Sequence, residues 1–258
     1  MYPIIEFGVW SIPTYFVVIS FDFCLLLLWL RFRSESLGLD VRTALDVGLF
    51  SSFIGLIGAR LFHVLYEYPD FYFRHPSFIF KLWEGGFVFL AGILAGIGVG
   101  ILWLKKKRLP LLPWLDLFAP LIGLGYSMGR WACFFQGCCY GKQTDSIFGV
   151  HFHNIEFSGE SFGRYPTQII TAGLEFFLVL VLLLVEKRGE SRIRPGVIFC
   201  LWIVGHGFNR MIMELLRDDP RGPLILGFGV SFWIAIMLVI SGALMMRAIL
   251  SSNPVAKD

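Results

Sequence analysis

Three ionisable residues, His206, Arg210 and Glu214, stand four apart in an otherwise apolar run. On a helix they share one face, in a stripe about 12 Å long. Arg217 continues near the same face. Two further arginines, Arg60 and Arg130, also sit in apolar runs, each close to a glycine (Gly58, Gly129) that leaves room around a guanidinium. A guanidinium fork matches phosphate oxygens bidentately, so arginines converging from several segments suit an anionic headgroup. The alternative is a set of internal salt bridges, for example Arg210 with Glu214 or Asp22, since structural ion-pair networks collect the same residue types.

The elements that carry these residues are membrane helices. The 258-residue chain is 56% hydrophobic and only 16% charged, against about 25% charged in a soluble domain. This excludes a disordered or collagen-like chain and a nucleic-acid binder working through a basic surface. It also argues against a soluble enzyme. The 27 Phe and 8 Trp suit a bilayer and its interfaces. A span needs about 20 apolar residues, and seven runs qualify: 12–30, 44–65, 85–104, 111–134, 166–186, 195–216 and 224–247. The fold class expected is an all-α polytopic membrane protein of about seven transmembrane helices, a single domain over 1–258. The third run carries Gly92, Gly96 and Gly100, two overlapping GxxxG spacings that let helices approach closely. The fourth contains Pro120, Gly123, Gly125 and Gly129, which leaves an irregular or re-entrant path open.

Charge placement orients the spans. With the N-terminus outside, inner segments hold 13 Lys and Arg and outer loops hold six, the bias expected for N-out, C-in. The basic blocks Lys105–Arg108 and Lys187-Arg188 then read as cytoplasmic anchors on anionic lipid. The first ten residues lack a positive segment and Asp22 interrupts the first apolar run, so that run reads as a retained helix, not a signal peptide. The longest loop, 135–165, becomes a small extracytoplasmic insertion, with an alternating stretch at 148–153 fit for a short strand.

Cys133, Cys138 and Cys139, with His151 and His153 downstream, are soft donors of the kind zinc takes. Their spacing is no familiar zinc pattern, and adjacent cysteines seldom both bind one ion. No metal is expected; packing or an extracytoplasmic disulfide to Cys133 is the favoured reading. Cys24 and Cys200 read as small packing hydrophobes.

The segment Gly129-Arg130-Trp131-Ala132-Cys133-Phe134-Phe135-Gln136-Gly137-Cys138-Cys139-Tyr140-Gly141 resembles the signature of the prolipoprotein diacylglyceryl transferase family. Other blocks follow in the family's order: Gly58-Ala59-Arg60, Trp83-Glu84-Gly85-Gly86, Arg164-Tyr165-Pro166-Thr167-Gln168, and Arg210 through Glu214 to Arg217. Tyr15 falls where the family has a tyrosine in the first span and is expected to be catalytic with Arg130, Arg210 and His206. The resemblance implies transfer of the diacylglyceryl group of phosphatidylglycerol to the lipobox cysteine thiol of a preprolipoprotein, with glycerol 1-phosphate released. It implies a multi-pass protein of the bacterial cytoplasmic (inner) membrane, a monomer, with no cofactor and no nucleic-acid partner. Arg130 and Arg210 match the family's essential arginines. Arg60, Glu214, Arg217, Gln136, Gly141 and Arg164 match positions expected to bind or orient substrate.

The pattern departs in specific places. Leu90 stands at the family's histidine, Cys133 and Gln136 at asparagines, Cys138 at a glutamate, Phe16 at a glycine and Phe228 at a glutamine. Leucine cannot carry a proton. His206 is therefore the candidate proton acceptor, or else a neutral hydrogen-bonding replacement for the family's tyrosine. A lipid- or lipopeptide-binding member without this activity is the alternative function. A transporter ranks last, because no paired broken helices are visible.

Overall fold

The computed structural model describes residues 4–8, 10–82, 85–152, 163–189, 193–217 and 224–252. Trp83, Glu84, His153 and Arg221 lie outside the described residues. Seven helices of 18 or more residues occur among those described, one at each run expected from the sequence: α1 (Thr14–Ser36), α2 (Val41–Phe62), α4 (Phe89–Lys106), α5 (Leu111–Gln136), α6 (Thr167–Gly189), α7 (Val197–Leu216) and α8 (Val230–Ser251). A short helix, α3 (Pro69–Arg74), follows a π-helical turn at His63–Glu67 that prolongs α2. Among the described residues five helices, α1, α2, α5, α6 and α8, are long and apolar enough to cross a membrane. Large apolar side chains stand exposed along them, among them Phe21, Phe53, Phe177 and Met237 at 60–65%. A chain whose outer surface is this apolar has lipid, not water, as its solvent.

The sequence-expected ends move where turns intervene. The hairpin β1 (Ile4–Phe7) and β2 (Trp10–Pro13) occupies the start of the first run. A second hairpin, β5 (Leu224–Ile225) with β6 (Phe228–Gly229), precedes α8. Its turn places Leu226 at φ 51 and Gly227 at φ 82, the double left-handed pair a two-residue hairpin favours. In the expected insertion, β3 (Val150–His151) pairs antiparallel with β4 (Gly163–Arg164), so the alternating stretch is strand over two residues.

The chain forms two compact units, Leu30–Trp114 and the remainder (Met1–Trp29 with Leu115–Asp258), the boundaries falling within α1 and α5. In the first unit, Asp40 caps α2 by accepting from the Thr43 amide at 2.8 Å. That bonding from Thr43 holds the Asp40 carboxyl below its usual range. α2 and α4 meet through glycine. A Cβ at Gly92 would lie 2.9 Å from the Gly55 carbonyl oxygen, and one at Gly96 would lie 2.8 Å from that of Ser51. The GxxxG spacing thus does what it is expected to do.

Arg60 is the anchor of this unit. It is 6% exposed. Its Nε donates to Ile79 O at 3.2 Å, and its terminal nitrogens donate to the carbonyls of Phe78 (2.6 Å), Lys81 (3.4 Å), Gly86 (3.0 Å) and Gly85. Gly85 and Gly86, at φ +83 and +80, turn their carbonyls inward as only glycine does at low cost. Five donors on five carbonyls saturate a guanidinium. Replacing Arg60 with lysine leaves several of these carbonyls unsatisfied and is expected to cost about 3 kcal/mol or more. A drop in thermal stability in detergent, with faster proteolysis at 78–86, checks this; unchanged values for both would refute the anchoring role.

In the second unit, α5 runs unbroken through Pro120, contrary to the irregular path left open by its Pro and Gly content. Tertiary bonds account for it. Asp116, one turn before Pro120, accepts from the amides of Gly196 (2.5 Å) and Phe199 (2.8 Å) and so caps α7 from a neighbouring helix. Ser127 donates to Ala172 O of α6 at 2.7 Å. Ala119, Leu182 and Ile198 pack as a buried cluster with Leu178, Phe199 and Trp202 around them. α7 lies against α8 at Gly207, where a Cβ would meet Val239 at 2.7 Å.

Candidate functional site

The site grows from the facing sides of α5, α6 and α7. Tyr126 and Arg130 are one turn apart on α5, and His206 and Arg210 are one turn apart on α7. The Tyr126 hydroxyl oxygen accepts from Arg130 at 2.7 Å and from Arg210 at 3.4 Å. One neutral oxygen therefore joins the two cations. The Arg130 guanidinium also lies over the Tyr126 ring, 4.6 Å from its centre. Among the described residues no carboxylate is in ion-pair contact with either arginine. The internal pairing of Arg210 with Glu214 or Asp22 does not form. Glu214 turns instead toward Gly229, where a Cβ would stand 2.5 Å from Oε1. Asp22 Oδ1 is buried without a partner.

His206 is fixed on three sides. Its ring packs edge-on to Tyr126 (4.9 Å between centres) and stacks on Trp202 (5.5 Å). Its Nδ1 lies 2.5 Å from Oε1 of Glu175, a fully buried residue of α6. Asn209 Nδ2 donates to the same oxygen at 3.3 Å. A carboxylate at this place only accepts, so it would hold a neutral imidazole with its proton on Nδ1 and its lone pair on Nε2. This is the arrangement of a base held by an orienting carboxylate.

Other expected residues gather at the C-terminal ends of α5 and α7. Arg217 closes α7, its amide donating to Glu214 O at 3.4 Å. Tyr15, second in α1, lies within electrostatic reach of Arg130 and of Cys133, Cys138 and Cys139. Gln136, last in α5, is exposed. Arg164 and Gly141 serve the loop itself: Arg164 Nη1 donates to Gly141 O at 3.3 Å, and the guanidinium lies 4.8 Å from the Tyr140 ring centre. A Cβ at Gly141 would meet Leu216 O at 2.6 Å, so this loop and the end of α7 can approach only with glycine there. Arg60 belongs to the other unit, its donors already engaged.

Sequence reasoning missed Tyr126 and Glu175. Tyr126 stands four residues before Arg130, which puts it on the same helical face. Glu175 is an acid inside a span, a functional candidate by the rule that singled out the arginines.

Taken together, two guanidiniums with no carboxylate partner among the described residues share the Tyr126 hydroxyl, beside an imidazole hydrogen-bonded to a buried carboxyl group. The model of the family described as prolipoprotein diacylglyceryl transferase matches residues 3–248. A phosphatidylglycerol–prolipoprotein diacylglyceryl transferase of Polynucleobacter asymbioticus is 33% identical over 254 residues, 94% of each chain. The enzyme of the same name from Clostridium tetani is 31% identical over 210 residues, 81% of this chain and 82% of its own. That from Bordetella parapertussis is 35% identical over 198 residues, 76% and 74% of the two chains. The chain belongs to the prolipoprotein diacylglyceryl transferase family.

Proposed function

We infer that the chain is an enzyme that transfers the diacylglyceryl group of phosphatidylglycerol to the cysteine thiol of a prolipoprotein. The observation that carries the reading is the Arg130–Tyr126–Arg210 bridge, two guanidiniums held together with no carboxylate partner among the described residues. The reaction needs such a pair. A thiolate sulfur attacks the glyceryl carbon, the carbon–oxygen bond to phosphate breaks, and charge gathers on the leaving phosphate. Fixed cations at that point lower the barrier more than they tighten ground-state binding.

The proton of the acceptor thiol passes to Nε2 of His206, whose Nδ1 the buried Glu175 holds. This assigns to α7 the base that Leu90 cannot be. Glycerol 1-phosphate is the product released, and the acceptor is a lipobox cysteine. Tyr15, Glu214, Arg217 and Gln136 line the substrate path in this reading, while Gly141 and Arg164 shape the loop beside it. The chain works as a monomer in the bacterial inner membrane, with seven spans, the N-terminus outside and the C-terminus cytoplasmic. The 13-to-6 distribution of Lys and Arg supports that orientation.

The test is thioether formation in detergent with phosphatidylglycerol and a lipobox peptide, followed by peptide mass. A diacylglyceryl gain, absent from the Cys→Ser peptide, is expected. Bound phosphatidylglycerol with no gain would instead establish a binding member without this activity.

A further inference from the structure

The end of α5 brings three thiols together for reasons visible in the backbone. Gly137, at φ 74, takes the left-handed position after the helix. Its amide bonds Phe134 O at 3.1 Å and the Cys138 amide bonds Cys133 O at 3.1 Å. This crossed pair is a Schellman closure, which brings the side chain after the glycine against the one three residues before the helix end. Here both are cysteines. Cys139 then adopts φ 65, a conformation rare outside glycine. The first turn of α6 holds this turn in place: Thr167 Oγ1 donates to Cys139 O at 2.8 Å and Gln168 Nε2 donates to Cys138 O at 2.6 Å. Thr167 and Gln168 are 1% exposed. Strain at a residue that tertiary bonds over-determine is a mark of functional positions. Its effect is that the sulfurs of Cys133, Cys138 and Cys139 lie within 4.8 Å of one another.

We propose that Cys133, Cys138 and Cys139 bind one thiophilic divalent cation of the zinc class as thiolates, with the fourth tetrahedral position open to the acceptor thiol. Adjacent cysteines seldom both bind one ion, but here the left-handed Cys139 brings its sulfur beside the other two. Metal–sulfur bonds of about 2.3 Å in a tetrahedron need sulfurs about 3.8 Å apart, so closing the cluster takes sulfur shifts of about 1 Å. Three protein ligands with an open position is the pattern of a catalytic, not a structural, zinc site. Among the described residues no fourth His, Cys, Asp or Glu joins the cluster. Three thiolates and a divalent ion carry one net negative charge, and Arg217 and Arg130 are within electrostatic range to offset it.

The role of the fourth position rests on the transferase reading above. Coordination removes the proton of the acceptor thiol, and that proton goes to His206 and then to water. The sulfur lone pair forms the new S–C bond. The C–O bond breaks with its electron pair on the phosphate oxygen, which leaves as a phosphate monoester. The cation and its three thiolates are unchanged at the end. Cys133 lies three residues from Arg130 on α5, about 4.5 Å of rise, so the cluster borders the phosphate site.

Cobalt(II) is the probe, added to fully reduced, chelator-treated protein in detergent. One equivalent with the intense visible bands of tetrahedral thiolate coordination is expected. Cys138→Ser and Cys139→Ser are expected to weaken cobalt binding at least about tenfold while still binding phosphatidylglycerol, and Cys24→Ser is expected to match the parent. A lipobox peptide should shift the bands, and its Cys→Ser form should not. Absence of thiolate bands, or a Cys133–Cys138 disulfide in the active protein, overturns the site. Full transfer by metal-free protein overturns the role of the cation and leaves the transferase reading standing. Thiolate bands that respond to the peptide, with no transfer after zinc is restored, support the site and overturn that reading.

Discussion

Arg130→Ala and Arg210→Ala should each lower kcat for thioether formation by about 10²–10³-fold while phosphatidylglycerol still binds. The reason is where the charge appears. In the ground state the phosphodiester carries one negative charge spread over its oxygens. In the transition state a second charge grows on the departing oxygen, and the two guanidiniums already stand at a common point, the Tyr126 hydroxyl. Because they act as a unit, the double substitution should cost well under the product of the two single losses. Arg130→Lys should recover only part of the rate, since an ammonium keeps the charge but loses the planar fork. Tyr126→Phe removes the shared acceptor and leaves both charges, so a smaller loss of about tenfold is expected. Initial rates by peptide mass, with KM for phosphatidylglycerol measured alongside, decide the matter. Unchanged kcat in both alanine variants would end the electrostatic mechanism.

The face carrying His206, Arg210 and Glu214 was legible because helical spacing of four is local information. So were the close packing at Gly92 and Gly96 and the positions of the long helices, since apolar runs and glycine repeats act through the segment that contains them. Arg60 and Arg130 look alike in the sequence, both in apolar runs near glycine. They differ in what folds around them. Arg60 meets a loop whose carbonyls, led by those between Phe78 and Gly86, fill its donors. Arg130 meets, among the described residues, the Tyr126 hydroxyl. No pattern within α2 announces that loop. Glu175 was passed over because its partner is on another helix, and an acid alone in a span does not name the histidine it orients. The approach of the three cysteine sulfurs was not legible, because it depends on the left-handed turn at Gly137 and Cys139, which spacing does not reveal. Pro120 was over-read: a proline permits a break, but Asp116 and Ser127 tie α5 to its neighbours on either side of it.

Glu175→Gln should lower kcat by about 10²–10⁴-fold with little change in KM, and it is the substitution that separates the two roles open to His206. If the imidazole is the proton acceptor, Glu175 matters because it fixes which nitrogen carries the proton. A glutamine amide is nearly isosteric but can present its NH₂ to Nδ1, which favours the tautomer with the proton on Nε2 and removes the lone pair from the side facing the substrate. Tyr126 and Trp202 still pack against the ring, so the fold and the lipid site persist. If His206 only fills space and donates a hydrogen bond, the same substitution replaces one acceptor by another and the rate should fall by less than about tenfold. His206→Asn sharpens the distinction, because asparagine can bond to Glu175 and cannot take up a proton. A deep kcat loss in both variants, with phosphatidylglycerol affinity held within a few-fold, assigns the proton to His206. A deep loss in neither returns the proton to solvent or to another group beside the arginines.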